Sequence, residues 1–194
     1  MYRPVRDHSF ANSTLLFSTI GIGNVSQLSV DIILNTLELP LVGYLDSEYL
    51  LPFAGQRALD YSDHLNCPLE VYGRDNLTIV QLRSVPMKNC WNSFLREFLA
   101  WTASQKFHNI IALGSADRSY SNESVIEAKY SSHLIGSTFV TTMLEKGIRV
   151  YLKYVYEGNN IPDAISFAEY VKELIEIKSE CSLTIPVCWN QLEQ

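Results

Sequence analysis

Thr14-Leu15-Leu16-Phe17-Ser18-Thr19-Ile20-Gly21-Ile22-Gly23-Asn24-Val25-Ser26-Gln27-Leu28 decides the fold class. Thr14 to Ile20 is short, apolar and rich in β-formers, as a buried strand requires. From Val25 to Leu37 the spacing changes: Val25, Leu28 and Ile32, with Val30, Ile33 and Leu37, form a wide apolar helical face. The glycines between them permit positive φ and close backbone approach, and Asn24 with Gln27 reads as a capping pair for the helix. Strand, tight turn and helix in that order open an α/β protein.

A second junction repeats the pattern near the other end. Ile148 to Tyr156 reads as a central strand, and Glu157-Gly158-Asn159-Asn160-Ile161-Pro162-Asp163-Ala164 then opens a helix. Asn160 stands at the cap position, Pro162 in the first turn where a missing N–H is harmless, and Asp163 where the helix dipole favours an acid. Ala164, Phe167, Ala168, Val171, Leu174 and Ile175 mark the buried face.

Between the junctions, Leu41 to Leu45 is a strand that would complete a parallel, right-handed βαβ unit. Leu50 to Gly55 is an extended stretch closed by a turn. Leu69–Tyr72 and Leu77–Arg83 flank Gly73-Arg74-Asp75-Asn76 as a hairpin, so the sheet should be mixed and mostly parallel. Trp91, Phe94, Leu95, Phe98 and Trp101 recur at helical spacing, Asn109 to Leu113 is a strand, and a polar loop runs from about 115 to 133. Thr138 to Leu144 is a short helix stopped by Gly147. The expectation is one domain over 1–194, a three-layer α/β/α sandwich.

The composition is 47% hydrophobic and 19% charged, ordinary for a globular protein. A net charge of −6 with scattered Lys and Arg argues against nucleic acid as a partner. No apolar run reaches the length of a membrane helix and no apolar leader stands at the start, so a place in the cytoplasm or nucleus is expected, with no membrane partner. Cys67, Cys90, Cys181 and Cys188 have no metal or redox spacing and read as reduced, mostly buried thiols; the sequons at Asn12, Asn24, Asn76 and Asn122 are then idle.

Three groups of residues bear on chemistry. Gly21-x-Gly23-x-x-Ser26 follows a strand and opens a helix, and Asp46 ends the next strand, which is the outline of a nucleoside- or dinucleotide-binding enzyme. Ser26 stands where glycine or alanine lets helix and strand pack, so a tight turn is the preferred reading and no cofactor is assigned. Ser115 lacks a nucleophile elbow, and His8, His64, His108 and His133 join it in no motif. No metal site or catalytic set follows. Tyr44, Tyr49 and Tyr61, in or beside loops, are candidate partner contacts with Leu51 and Phe53 of the extended stretch.

Ile20 to Asp31, Gly43-Tyr44-Leu45, Leu51-Pro52-Phe53-Ala54-Gly55, Glu157 to Ala164 and Ile185-Pro186-x-x-Trp189 resemble, in this order, the proteasome assembly chaperone 2 family, with weaker support from Gln81-Leu82-Arg83-Ser84 and the helix around Trp101. The resemblance implies a fold similar to purine nucleoside phosphorylases. It also implies a non-catalytic chaperone that pairs with proteasome assembly chaperone 1, binds proteasome α subunits, promotes α-ring formation and prevents α rings from pairing. Gly23, Asn24, Gln27, Glu157, Gly158, Asn160, Pro162 and Asp163 are its motif positions, read as structural. The chain departs from the hydrophobic-Tyr-any tail of some members, ending Leu192-Glu193-Gln194: either tail insertion is left to the partner chain or the sequence is shortened at its end.

Overall fold

The computed structural model describes residues 1–56, 65–129, 138–177, 181–187 and 189. Tyr61, His64, His133, Cys188 and Leu192-Glu193-Gln194 lie outside them. The elements run β1 (Tyr2–Pro4), β2 (Thr14–Ser18), α1 (Val25–Leu37), β3 (Leu41–Leu45), β4 (Gly55–Gln56), β5 (Leu65–Asn66), β6 (Leu69–Arg74) and β7 (Leu77–Leu82). After these come α2 (Trp91–Gln105), β8 (Asn109–Asp117), β9 (Val125–Glu127), α3 (Thr138–Glu145), β10 (Arg149–Val155) and α4 (Ile161–Leu174).

Eight strands form one sheet in the order β1-β3-β6-β7-β2-β8-β10-β9, and β4 pairs with β5 beside it. The middle, β7-β2-β8-β10, is parallel, with Leu16 of β2 level with Ile79 and Ile111. The flanks are antiparallel. The expected parallel character therefore belongs to the middle of a mixed sheet and not to its margins.

Period-two alternation sends side chains to two separate cores. Leu15 and Phe17 of β2, Val80 and Leu82 of β7, and Val150 and Leu152 of β10 face α2 and α3, where Phe94, Phe98, Trp101, Val140 and Met143 are buried. Leu16, Ile79, Ile111 and Tyr151 face α1 and α4, where Val30, Ile33, Phe167 and Val171 close over them. Two apolar layers on opposite faces make the α/β/α sandwich, as expected of strands buried on both sides.

Several local expectations change. β3 runs in the same direction as β2 but does not pair with it, because the β6–β7 hairpin is inserted between them. That hairpin is tighter than its polar residues suggest: Gly73 and Arg74 pair with Thr78 and Leu77, leaving Asp75 (φ 51°) and Asn76 as the turn. β8 continues through Gly114-Ser115-Ala116-Asp117, so the polar loop starts later and itself contains a 3-10 turn, Arg118–Tyr120, and β9. β10 is the strand next to the sheet margin and not central, with three-residue β9 covering it.

Candidate functional site: the meeting of the two glycine junctions

Both junctions lie at the carboxyl ends of the parallel strands, where open α/β sheets ordinarily present binding groups. After β2, Thr19 N–H donates to Leu113 O (3.0 Å) and Asn24 N–H to Gly21 O (3.1 Å), turning the chain into α1. Gly23 (φ 62°) and Asn24 (φ 53°) are both left-handed. The expected capping pair does not form. Side-chain capping needs extended backbone at the cap, and left-handed Asn24 makes no cap hydrogen bond. Gln27 instead donates through Nε2 to Leu82 O (3.1 Å) at the end of β7, while Ser26 Oγ closes the loop by donating to Thr19 O (2.5 Å).

The second junction differs from expectation in the same way. Asn160 (φ −96°, ψ 11°) makes no cap bond and turns back, donating Nδ2 to Gly158 O (3.1 Å). Its neighbour serves the helix, Asn159 Oδ1 accepting from Ile161 N–H (3.2 Å). Pro162 and Asp163 occupy the first turn as read, and Glu157 is exposed.

The two loops, more than 130 residues apart in sequence, touch. A Cβ on Gly23 would lie 2.0 Å from Asn160 Nδ2, and one on Gly21 would lie 2.5 Å from Ser115 Oγ. Ser115 Oγ donates to Ile22 O (2.7 Å), which makes this in-strand serine a tie for the first junction. The close approach that glycine permits is thus taken by protein side chains, where a phosphate cradle would leave it open. Asp46 meets no ribose position either. Two strands, β6 and β7, separate β3 from β2, and Asp46 pairs with Arg3 at the sheet margin.

Trp189 completes the junction. Residues 181–187 run back over α1, with Asn35 Nδ2 donating to Thr184 O (2.9 Å) and Thr184 N–H to Thr36 Oγ1 (2.9 Å). Trp189, only 6% exposed, then packs in the core under α1 and α4. A cleft of about 380 Å³ between Trp189, Leu28, Gly23 and the Gly158–Ile161 loop opens there.

Behind the first junction lies a charged network that no sequence motif announced. Arg83 donates from Nη2 to Asp31 Oδ1 (2.8 Å), from Nη1 to Asp31 Oδ2 (3.2 Å) and from Nε to Glu70 Oε2 (2.7 Å). Gln81 adds a bond to Asp31 (3.1 Å), Tyr72 OH one to Glu70 (3.0 Å), and Ser18 Oγ one to Gln81 Oε1. Burial works against the Arg83 charge, but Asp31 and then Glu70 outweigh it and raise the guanidinium pKa. The available signal was an acid, Asp31, set among the apolar residues Val30, Ile32, Ile33 and Leu34 of α1.

Under the second junction, Lys153 of β10 is 3% exposed. Its Nζ donates to Ser124 Oγ (2.7 Å) and Ser166 Oγ (3.2 Å), with the Asp163 carboxylate at 3.8 Å. Burial lowers its pKa, Asp163 opposing and Arg118 reinforcing that shift.

The candidate partner contacts separate. Tyr44 and Tyr49 are half-buried, and Tyr49 packs against the core under α2. Leu51 (44% exposed) and Phe53 (40%) face solvent beside exposed Val85 and Met87. The two segments are laced by Leu51 N–H to Val85 O (3.0 Å) and Met87 N–H to Tyr49 O (2.8 Å).

Among the described residues the other candidate groups do not assemble into a reacting set. His8 shares a hydrogen bond with Thr78 Oγ1 (2.9 Å), and His108 lines a polar cleft at the opposite end of the sheet. Cys67, Cys90 and Cys181 are free thiols, half-buried and less enclosed than expected. Among the described residues there is no cluster of three or more potential metal ligands and no helix long and apolar enough to cross a membrane.

These features define a three-layer α/β/α scaffold whose glycine loops close on its own side chains. The chain belongs to the PAC2 family, whose sequence pattern matches residues 15–175. It is 27% identical to proteasome assembly chaperone 2 of Mus musculus, covering 88% of this chain and 84% of that one, and 31% identical to proteasome assembly chaperone 2 of Xenopus tropicalis, covering 91% and 87%. The fold is that of PbaA of Pyrococcus furiosus, an archaeal homologue of proteasome-assembly chaperone (TM-score 0.72, 15% identity, covering 100% of this chain and 92% of that one). It is also that of Pyrococcus furiosus PbaB, an archaeal proteasome activator (TM-score 0.69, 12% identity, covering 93% and 91%).

Proposed function

We propose that this chain is a proteasome assembly chaperone that acts by binding alone. It works as a heterodimer with a proteasome assembly chaperone 1 relative, holds α subunits during ring formation and keeps completed α rings from pairing, in the cytoplasm or nucleus. The observation that carries the reading is kinship: relatives named proteasome assembly chaperone 2 match this chain over nearly its whole length. The closed junctions agree with it, because Gly21 and Gly23 accommodate Ser115 and Asn160 where a nucleotide-binding enzyme would need them open. One domain spanning the whole chain fits this role.

Leu51 and Phe53, with Val85 and Met87, supply an apolar face for a protein partner. Tyr49 lies beside that face, its carbonyl accepting from Met87 N–H (2.8 Å), and Tyr44 lies in β3. Tagged chain purified from its own cells tests the reading. Recovery of a chaperone 1 relative with α subunits and few β subunits is expected, and its loss in Leu51→Asp/Phe53→Asp assigns the face. Purification of the chain with no proteasome subunit at any salt overturns the function; retained partners in the double variant overturn only the face.

A further inference from the structure

The loop Ser121-Asn122-Glu123-Ser124, between the 3-10 turn and β9, lies in no helix or strand, and Ser124 is exposed in it. Three sources of positive potential converge there. Lys153 Nζ stands 2.7 Å from Ser124 Oγ and has no carboxylate nearer than Asp163 at 3.8 Å. Arg118 lays its guanidinium over the same loop, donating to Asn122 O (3.0 Å), Glu123 O (3.2 Å) and Tyr154 O (3.5 Å), and makes no ion pair among the described residues. The N-terminal turns of α4 supply Ser166, also bonded to Lys153, and the positive end of a helix dipole. Two cations and a helix end thus lie around one neutral hydroxyl, with Asp163, at 3.8 Å from Lys153, the one carboxylate paired with either cation among the described residues. The sequence around it reads Glu123-Ser124-Val125-Ile126-Glu127, with acids at the positions just before and three after the serine, the pattern that a kinase with a basic substrate groove selects.

We propose that Ser124 is a phosphorylation site for an acid-directed serine kinase, and that Lys153 and Arg118 receive its phosphate. In the transfer, Ser124 Oγ forms a bond to the γ-phosphorus of ATP and the bond from that phosphorus to the β,γ-bridging oxygen breaks. ADP leaves, and the hydroxyl proton passes to the kinase's carboxylate base. The dianion replaces a neutral acceptor beside a buried ammonium that burial disfavours, so it gains charge-assisted bonds. Glu123 and Asp163 carry charge of the same sign as the phosphate, and Lys153, already bonded to Ser124 Oγ, is the charged group in contact with it. The modified loop ties β9 to α4 at the carboxyl end of the sheet, beside the Gly158–Asn160 junction.

The test incubates the full chain with ATP, magnesium and an acid-directed serine kinase shown active on casein, followed by intact and fragment mass spectrometry. One phosphate on Ser124 is expected, lost in Ser124→Ala and in Glu127→Lys. Phosphorus NMR then titrates it. A second ionisation below the value of about 6 for an unperturbed phosphoserine is expected, returning towards 6 in Arg118→Gln and in Lys153→Met. Should Lys153→Met fail to fold, Arg118→Gln carries the test alone. No incorporation, incorporation only at Ser119 or Ser121, or an ionisation that stays at about 6 in the unaltered chain overturns the proposal.

Discussion

Replacing Gly23 by alanine tests whether the two junctions are mechanically one. The new methyl group meets two separate penalties. The backbone must hold φ 62° with a Cβ present, at about 1–2 kcal/mol. The methyl would also sit 2.0 Å from Asn160 Nδ2 and 2.5 Å from its Cγ, so the Asn160 side chain must leave. Its departure breaks the bond to Gly158 O, worth about 0.5–1.5 kcal/mol net. Gly23→Ala should therefore cost about 2–3 kcal/mol, which moves a urea midpoint by about 1 M at an m-value of about 2 kcal/mol/M. Asn160→Ala alone loses the same bond. In the double variant only the Asn160 Cβ remains near the methyl, at 3.2 Å, a contact that a few tenths of an ångström relieves. The double variant should be more stable than the sum of the singles predicts, by about 1 kcal/mol. Urea denaturation followed by tryptophan fluorescence on all four chains measures this coupling. Costs that add to within about 0.5 kcal/mol would show that Gly23 and Asn160 do not share one space, and the reasoning would fail.

Arg83→Met leaves Asp31 and Glu70 buried without their cation, and a loss of about 3–5 kcal/mol in chemical denaturation is expected. Adding Asp31→Asn and Glu70→Gln should restore most of it, and no recovery would mean that packing, not charge, sets the cost. Trp189→Ala should cost about 3–5 kcal/mol, because its indole fills the core under α1 and α4; a melt unchanged to within 1 °C would place that side chain in solvent. His8 is half-buried, and burial lowers its pKa with Asp75 partly opposing. The unfolded chain then binds a proton that the folded chain refuses between the two pKa values. Stability from this group is present above pH 6.5 and falls as pH drops below it. Thermal melts from pH 7.5 to 5.5 should show a steeper decline in the unaltered chain than in His8→Gln, and parallel declines would contradict this.

Much of the architecture was legible because it rests on local periodicity. Val25–Leu37 and Trp91–Gln105 carry wide apolar faces, and both became helices within two residues of expectation. What failed needed knowledge of neighbours. Nothing near Leu41–Leu45 says that the β6–β7 hairpin will be inserted between it and β2, since strand order is settled by which faces bury most area, not by sequence proximity. Asn24 and Asn160 have cap chemistry, but their φ and ψ are set by the loops packing on each other, and so their side chains bond elsewhere.

The candidate site divides along the same line. Both glycine junctions were visible as motifs, and Leu51 and Phe53 as candidate contacts, because unusual residue types at turns leave a mark in one dimension. That Gly23 lies against Asn160, that Ser115 fills the space at Gly21, and that Lys153 and Arg118 surround Ser124 were not visible, since each joins residues distant in sequence. By itself the sequence determined the helices, most of the strands and the kinship, all of which depend on spacing along the chain. Tertiary structure alone decided strand order, the buried Asp31–Arg83–Glu70 charges and the closure of the junctions, because these arise from which side chains share a volume once the sheet has twisted and the helices have packed.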